Sequence, residues 1–264
     1  MSEIHPSAVV EDGAKIGQDV KIGAYTFISK DSVIADRVEI MQGAGIYGKT
    51  IIGEDCKIYP YVMIGTPPQD LGYKEEDDVR VEIGKRNIFR EFVTINMGTL
   101  HGGGVTRVGD DCFVMIYSHI AHDCQIGSNV IMANNATCAG HVEVGDFTVI
   151  GGMTPIHQFV KIGEGCMLGG ASAISQDIPP FCLAEGNRAV VKGLNAVGLR
   201  RRFQRDDIRA LQRAYKELFR SGRAIKEVAE ELLKQSDNEK VKQMCKFILE
   251  SKRGIPYERK IDDK

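Results

Sequence analysis

An apolar residue recurs at every sixth position over most of the first 174 residues of the chain. The positions fall in three runs that keep this step, namely Ile4, Val10, Ile16, Ile22, Ile28, Ile34, Ile40, Ile46, Ile52, Ile58, Ile64; Ile83, Phe89, Ile95; and Val108, Val114, Ile120, Ile126, Met132, Cys138, Val144, Ile150, Ile156, Ile162, Leu168, Ile174. A helix would repeat every 3.6 residues and a half-buried strand every two. A period of six instead predicts a hexapeptide β-helix, in which three short strands close each triangular coil of eighteen residues.

Two insertions, at residues 66–82 and 97–107, interrupt the repeat, and insertions in a solenoid form loops on one face, often the binding face. Beyond Pro179-Pro180 the apolar spacing changes to three and four. Three short amphipathic helices are predicted there, on Ile208, Leu211, Tyr215, Leu218; on Ile225, Val228, Leu232; and on Val241, Met244, Cys245, Ile248. We therefore predict a β class fold, with a parallel β-helix over residues 1–190 and a small α-helical C-terminal domain over residues 191–264.

Cysteine usage and charge restrict the class of protein. The seven cysteines include no Cys-x-x-Cys pair, so we expect reduced thiols, and four of them share the fifth position of their hexads as small core residues: Cys56, Cys112, Cys124 and Cys166. The repeat begins at Ile4, which leaves no room for a cleavable leader, and no run of eighteen apolar residues occurs. We expect a cytoplasmic protein. No cofactor is predicted.

The net charge of −2 is unevenly spread. Residues 199–264 contain 19 Lys and Arg against 12 Asp and Glu, which leaves 15 against 24 for residues 1–198, so the tail carries +7 and the body −9. This asymmetry indicates either an acidic partner of the tail or a solvated helical surface.

Two glycine-rich motifs match the sequence patterns of known sites but lack the neighbouring elements that those sites require. Residues 43–50 fit the phosphate-loop pattern, but a helix must follow that loop and here the hexads continue at Ile46 and Ile52. The sequence at 101–104, His-Gly-Gly-Gly, is similar to a lipase oxyanion loop but lacks the nucleophile elbow Gly-x-Ser-x-Gly. We expect a flexible loop tip there.

Polar residues converge where the eighteen-residue frame can be computed. Val108, Ile126 and Val144 are taken as the first residues of three successive coils, and the offset of a residue is its distance in sequence from the first residue of its coil. Six polar or glycine residues then have offsets of 13 to 15: His122, Asp123, Gly140, His141, His157 and Gln158. They share one edge of the prism, on coils about 4.8 Å apart. Asn96 extends the row below, and His119 precedes the same edge. His122 beside Asp123 suits a general base with an acidic partner, and Gly140 could present an N–H to an oxyanion.

The sequence also resembles a known family. The segments "HIAHDC", "ANNATCAGHVEVGDF", "GGMTPIHQF", "QDIPPF", "AEGN" and "GLRRRF" are similar, in order and spacing, to those of the UDP-N-acetylglucosamine O-acyltransferases that begin lipid A synthesis. The resemblance covers essentially the whole chain. It implies a left-handed parallel β-helix, an exception to the right-handed crossover rule, and a homotrimer with active sites between subunits.

The resemblance implies a role for each matching residue. His122 would be the general base that deprotonates the sugar 3-hydroxyl as it attacks the (R)-3-hydroxyacyl thioester on acyl carrier protein, with Asp123 as its support and the Gly140 N–H facing the oxyanion. Residues expected to contact the sugar nucleotide are Asp70, Lys74, Asn96, His119, His141, His157 and Gln158. Those expected to line the thioester entrance are Asn195, Arg201 and Arg202. The basic run over residues 200–223, nine Lys or Arg against three acids, would dock the acidic carrier.

The resemblance also bears on acyl length, through Gly170 and Arg188, and on acceptor identity, through Asn96, Gly72 and Lys74. Gly170 stands where family side chains limit the acyl chain and blocks nothing, so a long chain of about fourteen carbons is favoured, while Arg188 stands where some members have histidine. Many members read "TIHRGT" and "QDLKY", but this chain has Asn96 in the first motif and Gly72 in the second, with Lys74 shifted two places on. These changes leave open a 3-amino analogue of the sugar nucleotide as acceptor.

Two other classes of function compete with this assignment. A second hexapeptide-repeat enzyme is conceivable, either a coenzyme A acetyltransferase or a zinc carbonic anhydrase, whose trimer holds the metal with histidines. A scaffold without activity would show a uniform polar surface. The clustered histidines favour acid–base catalysis, and we predict no metal site.

Overall fold

The computed structural model describes residues 2–258, which form 27 short strands, one 3-10 turn and four helices. In chain order the strands are β1 Glu3–Ile4, β2 Val9–Val10, β3 Lys15–Ile16, β4 Lys21–Ile22, β5 Phe27–Ile28, β6 Val33–Ile34, β7 Glu39–Ile40, β8 Gly45–Ile46, β9 Lys49–Ile52, β10 Lys57–Ile58, β11 Met63–Thr66, β12 Arg80–Ile83, β13 Ile88–Phe89, β14 Thr94–Asn96, β15 Val105–Val108, β16 Phe113–Val114, β17 His119–Ile120, β18 Gln125–Ile126, β19 Ile131–Met132, β20 Thr137–Cys138, β21 Glu143–Val144, β22 Val149–Ile150, β23 Pro155–Ile156, β24 Lys161–Ile162, β25 Met167–Leu168, β26 Cys182–Glu185 and β27 Val190–Leu194. The turn is Leu100–Gly102, and the helices are α1 Ala196–Arg202, α2 Arg205–Arg220, α3 Ile225–Gln235 and α4 Glu239–Glu250.

The strands build three parallel sheets that form the faces of a triangular prism. The first sheet runs β1-β4-β7-β10-β13-β16-β19-β22-β25 and continues into β26 and β27, the second runs from β2 to β23, and the third from β3 to β24. Consecutive coils are in register eighteen residues apart, as in the pair Ile4 and Ile22. The fold is a left-handed parallel β-helix followed by helices, as predicted.

The six-residue repeat produces the core. From Ile22 to Ile174 every apolar position of the repeat is buried, each stacked on the equivalent residue of the coils above and below. Ile4, Val10 and Ile16 are the exceptions, and Ile4 is 47% exposed, because the first coil has no coil beneath it. The hexad cysteines are core residues as predicted, and burial raises the pKa of the Cys124 thiol to about 12, so it stays protonated at neutral pH.

The three edges of the prism differ in chemistry. Between the first and second sheets lies an aromatic edge, where Tyr61, Phe92 and Tyr117 stack at ring-centroid distances of 5.3 and 4.9 Å. Between the third and first sheets lies an ionic edge, where Arg37 forms a bidentate pair with Asp55 and Arg86 with Asp111. Between the second and third sheets lies a histidine-bearing edge, here called the site edge, with Asp123, His141 and Phe159 at its corners.

The C-terminal segment closes the last coil. β27 pairs antiparallel with β26 and spans the predicted boundary between residues 190 and 191, so the division into two domains stays a prediction. Helices α2, α3 and α4 confirm the three amphipathic helices read from the sequence, whereas α1 was not predicted. Among residues 2–258 no helix is both long and apolar enough to cross a bilayer.

Candidate active site

Asp123 organises the site edge. Its side chain is fully buried, and its carboxylate accepts hydrogen bonds from the Thr99 N–H at 2.8 Å, from the Thr99 hydroxyl at 2.7 Å and from His122 Nδ1 at 2.8 Å. Its own N–H donates to the Thr106 hydroxyl oxygen at 2.8 Å. Because the carboxylate oxygens are thus engaged, Asp123 has one fixed orientation.

The contact with Asp123 determines which nitrogen of His122 is basic. An ionised carboxylate only accepts hydrogen bonds, so Nδ1 carries the proton in the His122–Asp123 pair. In the neutral ring Nε2 then has the free lone pair. The imidazole is 14% exposed, enough for a substrate hydroxyl to reach it.

Gly140 lies directly against the His122 ring on the next coil. A Cβ at this position would lie 2.5 Å from His122 Cε1 and 2.7 Å from Nε2, inside the ordinary contact distance of carbon atoms. The site therefore requires glycine here for space, because only a backbone without a side chain fits beside the basic nitrogen.

His141 forms the second wall of the site. Its ring meets His122 edge to face at 5.1 Å between centroids and stacks on Phe159 at 4.3 Å, and its Nδ1 lies 3.7 Å from Asp123 Oδ2. Burial lowers the pKa of His141, although the Asp123 carboxylate acts in the opposite direction. The ring is therefore neutral at physiological pH and serves as a hydrogen-bonding group.

His119 lies one strand before this edge. Its Nδ1 is 2.7 Å from the Thr94 hydroxyl oxygen. Burial lowers the pKa of His119, a hydrogen bond with the Thr94 backbone opposes this, and the neighbouring His122 adds to the decrease. A second neutral imidazole thus lies beside the candidate base.

The insertion at residues 97–107 is part of the site, in line with the expectation that insertions lie on the binding face, but the flexible tip expected at residues 101–104 did not include the contacts seen here. The 3-10 turn that it contains is capped by Thr99, the residue that also binds Asp123, and a Cβ on Gly102 would lie 2.1 Å from Asp123 Cγ. His101 reaches the first insertion, with Nε2 3.7 Å from Asp70 Oδ2, and its ring lies 5.9 Å from that of His141. The two insertions meet over the site.

The remaining sugar-contact candidates lie around this centre. Lys74 lies with Asp70 and His101 around a small pocket of about 150 Å³. Asn96 is buried and donates both amide hydrogens, to the Thr66 hydroxyl and the Pro67 carbonyl. His157 and Gln158 are exposed on the coil above His141. The structure thus places the predicted sugar-contact residues on the site edge and its two loops.

The other predicted residues lie on different edges. Asn195 caps α1 and donates to the Gly165 carbonyl, and Arg202 pairs with Glu164 and covers the Phe147 ring, all at the ionic edge. Arg201 is exposed beside them. Gly170 lies at the aromatic edge, and Arg188 is exposed in the turn between β26 and β27. Within one chain the structure does not bring these five residues to His122.

Sequence reasoning missed Thr99, Thr106, His101 and Phe159. Phe159 shares the offset of Asp123 and His141, so the eighteen-residue frame could have identified it. Thr99 and His101 lie in an insertion that interrupts the frame, and no periodic signal reports where its residues return.

The cluster also has the composition of a small cation site. Atoms of His122, Asp123 and His141 that could bind a metal lie within 4.8 Å of one another. The Asp123 oxygens, however, already accept three hydrogen bonds, and His122 Nδ1 is used by one of them. This arrangement orients a base more readily than it binds zinc, for which His Nδ1 and a carboxylate would have to be released.

Comparisons with known proteins identify relatives over the whole chain. A family model described as UDP N-acetylglucosamine O-acyltransferase, domain 2, matches residues 177–256, and bacterial transferase hexapeptide repeats match residues 31–66 and 106–140. The acyl-[acyl-carrier-protein]--UDP-N-acetylglucosamine O-acyltransferase of Campylobacter concisus is 58% identical over 256 residues, 97% of this chain and 98% of that protein.

Solved structures agree with this relationship. The UDP-N-acetylglucosamine acyltransferase from Campylobacter jejuni superposes with a TM-score of 0.94 at 58% identity, over 97% of this chain and all (100%) of that chain. The enzyme from Francisella novicida gives a TM-score of 0.93 at 34% identity, over 97% and 95% of the two chains.

Proposed function

The chain belongs to the UDP-N-acetylglucosamine O-acyltransferase family, and on that premise we propose that it transfers an (R)-3-hydroxyacyl chain from acyl carrier protein to the 3-position of UDP-N-acetylglucosamine, the first step of lipid A synthesis. The observation that carries the proposal is the His122–Asp123 pair, whose Nδ1 contact leaves Nε2 as the basic atom beside Gly140. The reaction needs a base on the acceptor hydroxyl but no strong general acid, because a thiolate leaves easily.

The proposed steps follow from these positions. His122 Nε2 takes the proton of the sugar 3-hydroxyl while the hydroxyl oxygen attacks the carbonyl carbon of the thioester. Asp123 stabilises the imidazolium that forms. The oxyanion of the tetrahedral intermediate faces the Gly140 N–H. Collapse expels the carrier thiolate, which receives the proton from His122, so the products are the acyl ester and the free thiol.

The sugar nucleotide occupies the cleft along the site edge. A cleft of about 650 Å³ is lined by His101, Asp123, His141 and Phe159, among others, and lies next to the small pocket that contains Asp70 and Lys74. Neutral His119 and His141 offer hydrogen bonds to sugar hydroxyls at no cost of desolvating a charge. His157 and Gln158 extend this surface above, and Asn96 supports its floor.

Completion of the site requires a second subunit. Asn195, Arg201 and Arg202 lie at the ionic edge, one full sheet away from His122, so a neighbouring chain contributes them to the thioester entrance. The aromatic edge exposes a column of apolar side chains, with Tyr25, Tyr61, Tyr117 and Met153 each at least 50% exposed, which is typical of a surface covered by self-association. We assign the homotrimer to these two surfaces.

The carrier protein docks on the basic helices. Arg200, Arg201, Arg205 and Arg213 are exposed on α1 and α2, and none of them forms a salt bridge with another residue in the described range 2–258. Unpaired surface arginines attract an acidic partner and increase the association rate. We also propose that the enzyme is cytoplasmic.

Gly170 and Arg188 set the acyl length. A Cβ on Gly170 would meet nothing nearer than the Gly152 carbonyl oxygen at 3.4 Å, so the position has room for methylenes. Chains of about fourteen carbons fit this ruler, because each buried methylene contributes about 0.8 kcal/mol.

The experiment combines purified protein, carrier-bound acyl thioester and UDP-N-acetylglucosamine, with mass spectrometry of the nucleotide product. Wild-type protein should form the acylated nucleotide, and His122→Ala should form at most a trace. Near-normal turnover of His122→Ala would refute the mechanism, and no turnover of wild type with any chain length would refute the function. Stoichiometric zinc in the purified protein would instead favour the zinc carbonic anhydrase.

The 3-amino analogue of the nucleotide is a second candidate acceptor. Asn96 Oδ1 is buried and accepts no hydrogen bond from any residue in the described part of the chain. The single hydrogen of a hydroxyl is donated to His122, whereas an amine has one more hydrogen that it can donate to the unsatisfied side-chain carbonyl of Asn96. This difference favours the amine. Offering both nucleotides side by side, to wild type and Asn96→His, decides the matter. A preference for the amine that is lost in Asn96→His supports this acceptor.

A further inference from the structure

A short segment after α4 returns to the site edge. Residues 251–254, here called the C-terminal strap, are attached to Asp177, which is 1% exposed on the last coil. Its carboxylate accepts the Ser251 hydroxyl at 2.6 Å and the Lys161 N–H at 2.9 Å, and its N–H donates to the Gly254 carbonyl at 3.0 Å. A buried carboxylate with this many partners fixes the path of the strap.

The strap brings two cations into the cleft that contains His141. Lys252 and Arg253 line the same 650 Å³ cleft as His101, His141 and Phe159. Arg253 Nε donates to the Ser175 carbonyl at 3.1 Å, which orients the guanidinium. Its two Nη groups make no hydrogen bond to any residue of the described chain.

Within residues 2–258 neither Lys252 nor Arg253 has an ion-pair partner. The other cations in the cleft have partners, since Arg107 pairs with Glu82 at 2.6 Å and Lys161 with Glu143 at 2.9 Å. The cleft is also lined by the carboxylates of Asp123, Glu143 and Asp177, but these already have hydrogen-bond or ion-pair partners. The unpaired cations therefore make the upper part of the cleft a site for an anion.

We propose that Lys252 and Arg253 bind a phosphate ester of the substrates during catalysis. The oriented guanidinium of Arg253 can donate two parallel hydrogen bonds to phosphate oxygens, and the neighbouring Lys252 ammonium can donate further single hydrogen bonds to them. The inference rests on the proposed function, which supplies two sources of this chemistry: the diphosphate of the sugar nucleotide and the phosphodiester of the carrier's prosthetic arm. The role is one of substrate binding, so it changes KM and leaves kcat near its wild-type value.

The test is a steady-state comparison of Lys252→Gln/Arg253→Gln with wild type, in which each substrate is varied while the other is saturating. We expect the KM of one substrate to rise by at least about tenfold, and kcat to stay within about twofold, for the loss of charge-assisted contacts. A rise for the nucleotide assigns its diphosphate, and a rise for the carrier assigns the phosphodiester. Unchanged KM for both substrates overturns the inference.

Controls separate charge from folding and the inference from the function. Lys15→Gln/Lys57→Gln removes the same charge from exposed positions far down the prism and should leave both KM values unchanged. Lys252→Gln alone keeps the contact of Arg253 with Ser175, so it remains informative if the double variant unfolds. Calorimetric titration with uridine diphosphate and with 4′-phosphopantetheine needs no turnover, so it decides the inference even if wild type transfers no acyl chain. Equal affinities of wild type and variant for both probes would exclude the phosphate contact.

Discussion

Gly140→Ala provides a sharp test of the proposed base. The added methyl group would lie 2.5 Å from His122 Cε1 and 2.7 Å from Nε2, whereas carbon atoms in contact stay about 3.5–4.0 Å apart. The imidazole must therefore shift by about 1 Å, and the 2.8 Å contact between Nδ1 and Asp123 has no slack for that shift. Gly140 is not in the left-handed backbone region, so alanine itself is compatible with its conformation.

The magnitude follows from the displacement. A misplacement of about 1 Å at a reacting group costs about 100-fold in rate, and overpacking costs about 1–3 kcal/mol of stability. We expect kcat of Gly140→Ala to fall about 100-fold at saturating concentrations of both substrates, with the protein still folded. The alanine retains its N–H, so the loss reports the position of the base and not removal of the oxyanion donor.

The assay measures initial rates by mass spectrometry and stability by urea titration. Gly193→Ala is the matched control, because a Cβ there meets no atom within 4 Å, and its kcat should equal that of wild type. A Gly140→Ala enzyme with wild-type kcat would refute the reasoning. So would a loss of activity that is explained entirely by unfolding.

Three further outcomes are expected. Thr99→Val removes the 2.7 Å hydrogen bond to Asp123 and should lower kcat about tenfold and stability by about 1.5–3 kcal/mol, whereas Thr99→Ser should retain both; equal behaviour of the two variants would contradict the positioning role. Burial lowers the pKa of His119 and His141 below the ordinary 6.5, so the unfolded chain binds protons first and the stability present above pH 6.5 should be lost as the pH falls toward the lowered values. Urea titrations between pH 5 and 8 should therefore give the free energy of unfolding a different dependence on pH in wild type and in His119→Gln/His141→Gln. Parallel curves of free energy against pH would count against the shifts. Cys124, with a pKa raised to about 12 by burial, should react with a thiol reagent only on unfolding, and rapid labelling of native protein would show that its coil opens.

The fold could be read from the sequence because one constraint is repeated in every hexad. Each apolar residue must face its equivalents in the coils above and below, so a single misplaced position would have broken the pattern. The exposed Ile4 has the same identity as the buried Ile22, and only the missing coil beneath it explains the difference. Helix α1 was missed because Leu199 is its one buried residue, which leaves no apolar stripe; the capping Asn195 was the available signal.

The site was predictable to the extent that it follows the same frame. His122, Asp123 and His141 lie together because eighteen residues make one coil. Thr99 completes the Asp123 contacts from an insertion, where chain length does not determine position. The residues on other edges, such as Asn195, show the opposite limit, since similarity in sequence does not report that they lie on another edge than His122 within one chain.

The register of eighteen residues between Ile4 and Ile22 gives the molecule a modular length. Removal of one whole coil below Ile52 would restack every remaining strand on its own sheet and leave the chemistry near His122 undisturbed. Removal of a single hexad would turn everything beneath it by a third of a revolution, so that the stacked tyrosines would meet a charged corner. In such a prism the number of coils can therefore change during evolution, but only in steps of eighteen residues, which keep every strand on its own sheet.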